Sequence, residues 1–220
     1  MDTNTTPIED KKKNSVPKWL QIFLIVGGII LVIAGLYNIF GGNGTPNTLV
    51  DKFNALQAPA TEIKDDLMSA SNLLNGIGAK ETNKDYAGII SDLQTALVKL
   101  DNASAKVAST NPILDDFQNA INASPDENIK AAGMHLIDVY KSRNSATLKM
   151  VSDAKDLINQ TITYYNEVAK NQKITIDMNK FSAAANTFAL NAQSMTNIGA
   201  QYDAAASDFA KAAGFTIEKK

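Results

Sequence analysis

The sequence predicts an all-α protein: a single N-terminal transmembrane helix, then an elongated, antiparallel, coiled-coil-like bundle of four main helices and one short one. Three observations carry this. Trp19 to Phe40 (WLQIFLIVGGIILVIAGLYNIF) is almost purely apolar, with Gln21 and Asn38 its only strongly polar members. About 20 apolar residues in a helix span the hydrocarbon core of a bilayer. Beyond that run, large apolar residues recur at alternating intervals of three and four, the period of supercoiled helices. The one short stretch of strand-like sequence, Lys173-Ile174-Thr175-Ile176, suits a connecting loop.

Residues 1–18 are polar, contain Pro7 and Pro17, and lack apolar periodicity, as expected of a disordered cytoplasmic tail. Lys11, Lys12, Lys13 and Lys18 precede the apolar run, and no further Lys or Arg appears until Lys52. Positive residues favour the cytoplasmic side, so residues 19–40 are expected to anchor the chain in the lipid bilayer of a cytoplasmic (inner) membrane with the N-terminus inside. Trp19 and Tyr37 suit the two interfaces. The rival reading is a cleaved signal peptide ending at Val32-Ile33-Ala34. Apolar character continues through Phe40, whereas signal h-regions run roughly 7–15 residues, so the longer run favours an uncleaved anchor. Residues 41–47 (GGNGTPN) read as a flexible linker to a domain over 48–220.

Segment A, from about Thr48 to Ile77, carries Leu49, Phe53, Leu56, Ala60, Ile63, Leu67, Ala70, Leu74 and Ile77 as one seam; Pro59 either kinks it or restarts it, and Gly76 and Gly78 end it. Segment B, from about Asn83 to Ser109, repeats the alternation through Tyr86, Ile90, Leu93, Leu97, Leu100, Ser104 and Val107. Asn111-Pro112 reads as a cap and first turn for a short helix bearing Ile113, Leu114, Phe117 and Ile121. Segment C opens on Ser124-Pro125-Asp126-Glu127, a capping-box pattern, and continues to about Lys170. Its seam is Ile137, Tyr140, Asn144, Thr147, Val151, Ala154, Ile158, Thr161, Tyr165 and Val168. A second line (Leu136, Met150, Leu157, Tyr164) widens the apolar face enough for two neighbours. Segment D, from an Asp177 cap to Gly214, places Phe181, Phe188, Met195, Tyr202 and Phe209 every seven residues. A small residue follows each by four: Ala185, Ala192, Gly199, Ala206 and Ala213. Large beside small lets helices approach closely. Short connections make the neighbours antiparallel.

Composition narrows the chemistry. With 21 basic against 23 acidic residues there is no basic stripe, which argues against nucleic acid as a partner. Arg143 is the only arginine, so no Arg cluster can fork onto phosphate. Without cysteine there are no disulfides and no thiolate metal sites. His135 stands alone, and helix-borne zinc signatures use two histidines. The pairs Asp65-Asp66, Asp115-Asp116 and Asp126-Glu127 point about 100° apart on a helix and do not converge. No nucleophile elbow or phosphate loop occurs. No enzyme activity, cofactor or metal is therefore expected.

Two groups of residues remain as candidates. Asn144, Thr147 and Thr161 lie on the seam of segment C, as a polar ligand pocket or as a register-setting polar core. Tyr164 and Tyr165 are candidate contact aromatics, with at least one expected in the core. The layout of one span, with Tyr37-Asn38 at its end, followed by an extracytoplasmic helical bundle, resembles bacterial envelope proteins of the LemA kind. It is also similar in architecture to the four-helix sensor domains of bacterial chemoreceptors. These readings lead to one expectation: a bacterial cell-envelope protein acting by protein–protein contact or self-association through its seams. The alternative is a small-ligand-binding bundle signalling to a partner membrane protein.

Overall fold

The computed structural model describes residues 27, 28, 30, 40–43 and 48–219. Those residues form an antiparallel helical bundle closed at one end by a two-stranded ribbon. In chain order the elements are β1 (Phe40–Asn43), α1 (Thr48–Asn75), α2 (Ile77–Thr82), α3 (Tyr86–Ser109), α4 (Asn111–Asn122), α5 (Glu127–Ala169), α6 (Met178–Ala212) and β2 (Thr216–Lys219). Gly27, Gly28 and Ile30 are helical as well. Among the described residues no helix is long and apolar enough to cross a membrane. The tail and most of the expected span lie outside the described residues.

The bundle is built on α5, whose 43 residues run about 65 Å. It packs on α3 along one side and α6 along the other, which is why its apolar face is wide. Every seam residue from Ile137 to Tyr165 is buried inside the chain, so these two neighbours use the wide face that would otherwise favour self-association. Helices α3 and α4 act as one bent rod, jointed at Thr110, that lies along α1. The five-fold large–small repeat of α6 is buried from Phe181 to Phe209, and only its last small member, Ala213, is partly exposed.

Several local details differ from the sequence expectation. Of the two alternatives at Pro59 the restart is overturned: α1 runs through it, with the Ala55 carbonyl deprived of its usual donor. Gly76 keeps ordinary negative φ and the chain re-enters a one-turn helix, so Gly78 lies inside α2 and the bundle has two short helices, not one. The buried line of α3 is Ile89, Leu93, Ala96, Leu100, Ala103 and Val107; Ile89 stands where Ile90 was expected, and Ala96 and Ala103 stand where Leu97 and Ser104 were, small side chains that let helices approach closely. Asp126, not Ser124, caps α5 by accepting from Asn128 N–H, while Ser124 accepts from Asp126 N–H. Thr110, not Asn111, is the residue before α4. Asp177 caps α6 as expected, accepting from Asn179 and Lys180.

The ribbon has no counterpart among the sequence expectations. Phe40–Asn43, the junction of the expected span and linker, pairs antiparallel with Thr216–Lys219, Phe40 opposite Lys219 and Asn43 opposite Thr216. Gly42 makes this fit: its N–H donates to Asn54 Oδ1 at 2.8 Å, and a Cβ there would lie 3.2 Å from both Val50 and Phe215. Gly41–Asn43 therefore belongs to the folded domain, and residues 44–47 of the expected linker lie outside the described residues.

Candidate functional site

The core divides into two apolar layers. The smaller, beside the ribbon, gathers Val50, Phe53, Leu56, Leu114, Phe117, Ile121, Leu136, Tyr140, Tyr202 and Phe209 with their neighbours. The larger runs to the far end, from Ala60 and Val107 to Leu74, Ile89, Tyr165 and Phe181. Where they meet, four elements place buried polar groups at one level. Helix α5 turns Tyr140, Arg143, Asn144 and Thr147 inward, because positions i, i+3, i+4 and i+7 share a face. Gln57 comes from α1, Thr110 from the α3–α4 joint and Tyr202 from α6.

Arg143 is the centre of this belt. Its side chain is completely buried, with the guanidinium carbon 4.0 Å from the centre of the Tyr202 ring and 4.5 Å from that of Tyr140. The two rings meet edge-to-face, 5.9 Å apart. A planar, weakly hydrated cation stacks between aromatic faces far better than an ammonium does. The Tyr202 hydroxyl accepts from Gln57 Nε2 at 2.6 Å. Burial drives the Tyr202 phenol above its ordinary value, and the Arg143 charge and the Gln57 hydrogen bond only partly offset this. Burial thus favours the neutral phenol. The Tyr140 hydroxyl donates to the Leu56 carbonyl at 3.1 Å, next to the carbonyl that Pro59 leaves unserved.

The candidate residues of segment C fall into two kinds. Asn144 Nδ2 donates to Thr110 Oγ1 at 2.8 Å, and Thr110 in turn donates to the Val107 carbonyl at 2.7 Å. Asn144 thus ties the α3–α4 joint to α5. Thr147 and Thr161 donate back to the Arg143 and Leu157 carbonyls of their own helix. Thr161 stands more than four turns from Asn144 along α5 and takes no part in the belt. Asn144 Oδ1 and Gln57 Oε1 have no hydrogen-bond partner among the described residues.

Tyr164 and Tyr165 stand near the far end of the bundle, packed edge-to-face at 5.3 Å. Tyr165 is fully buried, 5.9 Å from the Tyr86 ring, and Tyr164 is half-buried. Burial raises both phenols, and the Glu81 carboxylate adds to this. Glu81 is itself raised by burial, against a hydrogen bond with Tyr165 that works the other way. The neighbouring loop, 170–177, is tied down by Thr175, whose N–H donates to Glu167 Oε2 at 2.9 Å and whose hydroxyl bonds the other oxygen. Ile174 and Met178 are exposed there, at 37% and 38%.

His135 is exposed. Asp66 is buried under Lys99 and Lys106, at 3.3 and 3.1 Å. Asp116 pairs with Lys52. Among the described residues, no three His, Cys, Asp or Glu side chains are grouped to hold a metal ion. A surface pocket of about 180 Å³ between α5 and α6 is lined by Asp153, Asp156, Leu157, Ala184 and Thr187. It is remote from Asn144 in sequence along α5, and Asp153 is already engaged by Lys149 and Asn191.

No protein family, no curated protein and no solved structure matches this chain. The likenesses of layout described from the sequence therefore assign no family.

Proposed function

We propose that this chain is a single-pass, membrane-anchored cell-envelope protein whose helical bundle stands outside the cytoplasmic membrane and works by contact with another protein. The observation that carries this is the apolar run 19–40 behind four lysines, joined directly to a bundle whose interior polar groups are largely engaged with one another. Such engagement suits a core that fixes register and shape. The contact surface we favour is the far tip: half-buried Tyr164 near the end of α5, exposed Ile174 on the loop that Glu167 holds in place, and exposed Met178 at the start of α6.

Protease accessibility with fractionation, on spheroplasts carrying a C-terminal tag, tests the anchor. The tag should be membrane-bound, resist alkaline extraction and be digested from outside; release of a shorter soluble form would replace the anchor with a signal peptide. Crosslinking from position 173 tests the tip, and capture unchanged by Ile174→Asp with Met178→Asp would remove it.

A second reading keeps the belt as a small-ligand site, on the strength of the two unpartnered acceptors Gln57 Oε1 and Asn144 Oδ1. Thermal shifts with a metabolite panel test it. Uniform silence, with Asn144→Leu melting at or above wild type, would leave the belt a purely structural device, because Thr110 keeps its bond to Val107 without Asn144.

A further inference from the structure

The described residues of the apolar run do not stand apart from the bundle. Ile30 is 1% exposed and belongs to the larger core layer with Ala70 and Leu74 of α1. The buried Ser71 hydroxyl donates a 2.7 Å hydrogen bond to the Gly27 carbonyl. A Cβ on Gly27 would lie 2.5 Å from Asn75 Oδ1 and 3.4 Å from Leu74 Cβ, so the Gly27 backbone packs on this face and a side chain there would require the Asn75 amide to move.

The sequence sends the same residues elsewhere. If the run crosses a bilayer as a helix, Ile30 lies about 15 Å from Phe40, near the middle of the hydrocarbon. The surface that covers Ile30 cannot follow it there. Ser71 and Leu74 stand on a helix that also carries Lys64, Asp65, Asp66 and Asn75, and ionised groups at that depth are costly. Ile30 occupies the bundle or the bilayer, not both.

We propose that the face of α1 around Ser71, Leu74 and Asn75 is a docking groove for this chain's own apolar run, seated through Gly27 and Ile30, and that docking competes with membrane insertion. The competition rests on the anchor reading above; the groove rests on the contacts alone. The ribbon supplies the pivot. Gly42 touches Val50 and Asn54, whereas Gly27 touches Leu74 and Asn75, points about 30 Å apart along α1. The chain between the two glycines covers about 22 Å if wholly helical and about 50 Å if extended, so it reaches the groove with the ribbon intact when part of it is extended.

The absence of native cysteine makes a direct test clean. Gly27→Cys with Leu74→Cys, and Asn75→Ala to make room, sets two Cβ atoms close to the roughly 3.5–4.5 Å a disulfide needs. The full chain is oxidised in buffer after dilution from urea, and again after insertion into phosphatidylethanolamine–phosphatidylglycerol vesicles recovered by flotation. An intrachain bond should form in buffer and form at least ~tenfold more slowly in the floated fraction. A folded chain that gives no intrachain bond in buffer overturns the groove. An interchain product in its place makes a second copy the occupant and overturns the proposal as stated. Equal rates in both fractions overturn the competition. A chain that never floats removes the anchor, and with it the competition, while the result in buffer still judges the groove. Gly27→Leu gives an independent reading, since its side chain fills the groove yet suits lipid. It should raise the vesicle-bound fraction several-fold with helix content unchanged, and an unchanged fraction counts against competition.

Discussion

Arg143→Lys and Arg143→Met separate a plane from a charge at the centre of the bundle. The guanidinium carbon stands 4.0 and 4.5 Å from two ring centres, and the side chain has no exposed surface. A cation–π contact is worth about 0.5–1 kcal/mol when exposed and about 2 when desolvated, so two buried faces amount to about 2–4 kcal/mol. Lysine keeps the charge, but a compact, strongly hydrated ammonium makes a poorer contact with the ring faces, and we expect it to lose about 2–4 kcal/mol of unfolding free energy. Methionine loses the contact and also the burden of a buried ion, an exchange that is often neutral, so its cost should stay below about 1.5 kcal/mol. Urea unfolding of the full chain, followed by circular dichroism, measures both. At constant m the midpoint reports the difference directly. If Arg143→Lys proved as stable as wild type while Arg143→Met was the weaker variant, charge and not stacking would hold the belt, and the reasoning would be wrong.

Three further outcomes follow from single contacts. Gly133→Ala drives a methyl to 2.5 Å from Ile121 Cδ1 at the α4–α5 crossing, which should cost about 1–3 kcal/mol; Ile121→Val in the same chain should recover part of it, and the melting temperatures decide. Glu81 is raised above its ordinary 4.5 chiefly by burial, so the folded state binds its proton more readily than the unfolded chain, and stability is lost as pH rises through the folded value. Glu81→Gln should therefore gain on wild type between acid and neutral pH, and thermal melts from about pH 3.5 to 7 in which it instead loses ground would reverse the sign. Asp177→Ala removes the acceptor shared by Asn179 and Lys180 at the start of α6 and should cost about 1 kcal/mol, which Asp177→Ser should largely restore in urea unfolding.

Much of the fold is legible in the sequence because long seams leave little choice. The lines of α1, α5 and α6 are buried almost residue for residue. What the sequence conceals has three physical causes. Alanine is a weak hydrophobic signal, so Ala96 and Ala103 yield in the pattern to bulkier neighbours that prove half-exposed. The ribbon is four residues long and pairs the two ends of the domain, a contact no local pattern encodes. Arg143 draws notice for its charge and not for its position. Yet the second line of α5, Leu136, Met150, Leu157 and Tyr164, skips one seven-residue step, and the missing member is position 143. A gap in an otherwise regular line is the available sign that an arginine lies in the core. The partner of Asn144 has no sequence signal at all, because Thr110 is set by the angle of the α3–α4 joint.

The register of the ribbon also decides how the domain bears load. Phe40 faces Lys219, so the strand leading from the apolar run and the strand leading to the C-terminus leave from the same end. A pull between the chain ahead of Phe40 and the chain beyond Lys219 would open the ribbon rung by rung, like a zipper, at low force. A pull between the chain ahead of Phe40 and α6 loads the rungs together in shear, because Thr216, at the other end, leads back into α6. The domain is thus stiff toward a partner that grips its helices and yielding toward one that grips its tail.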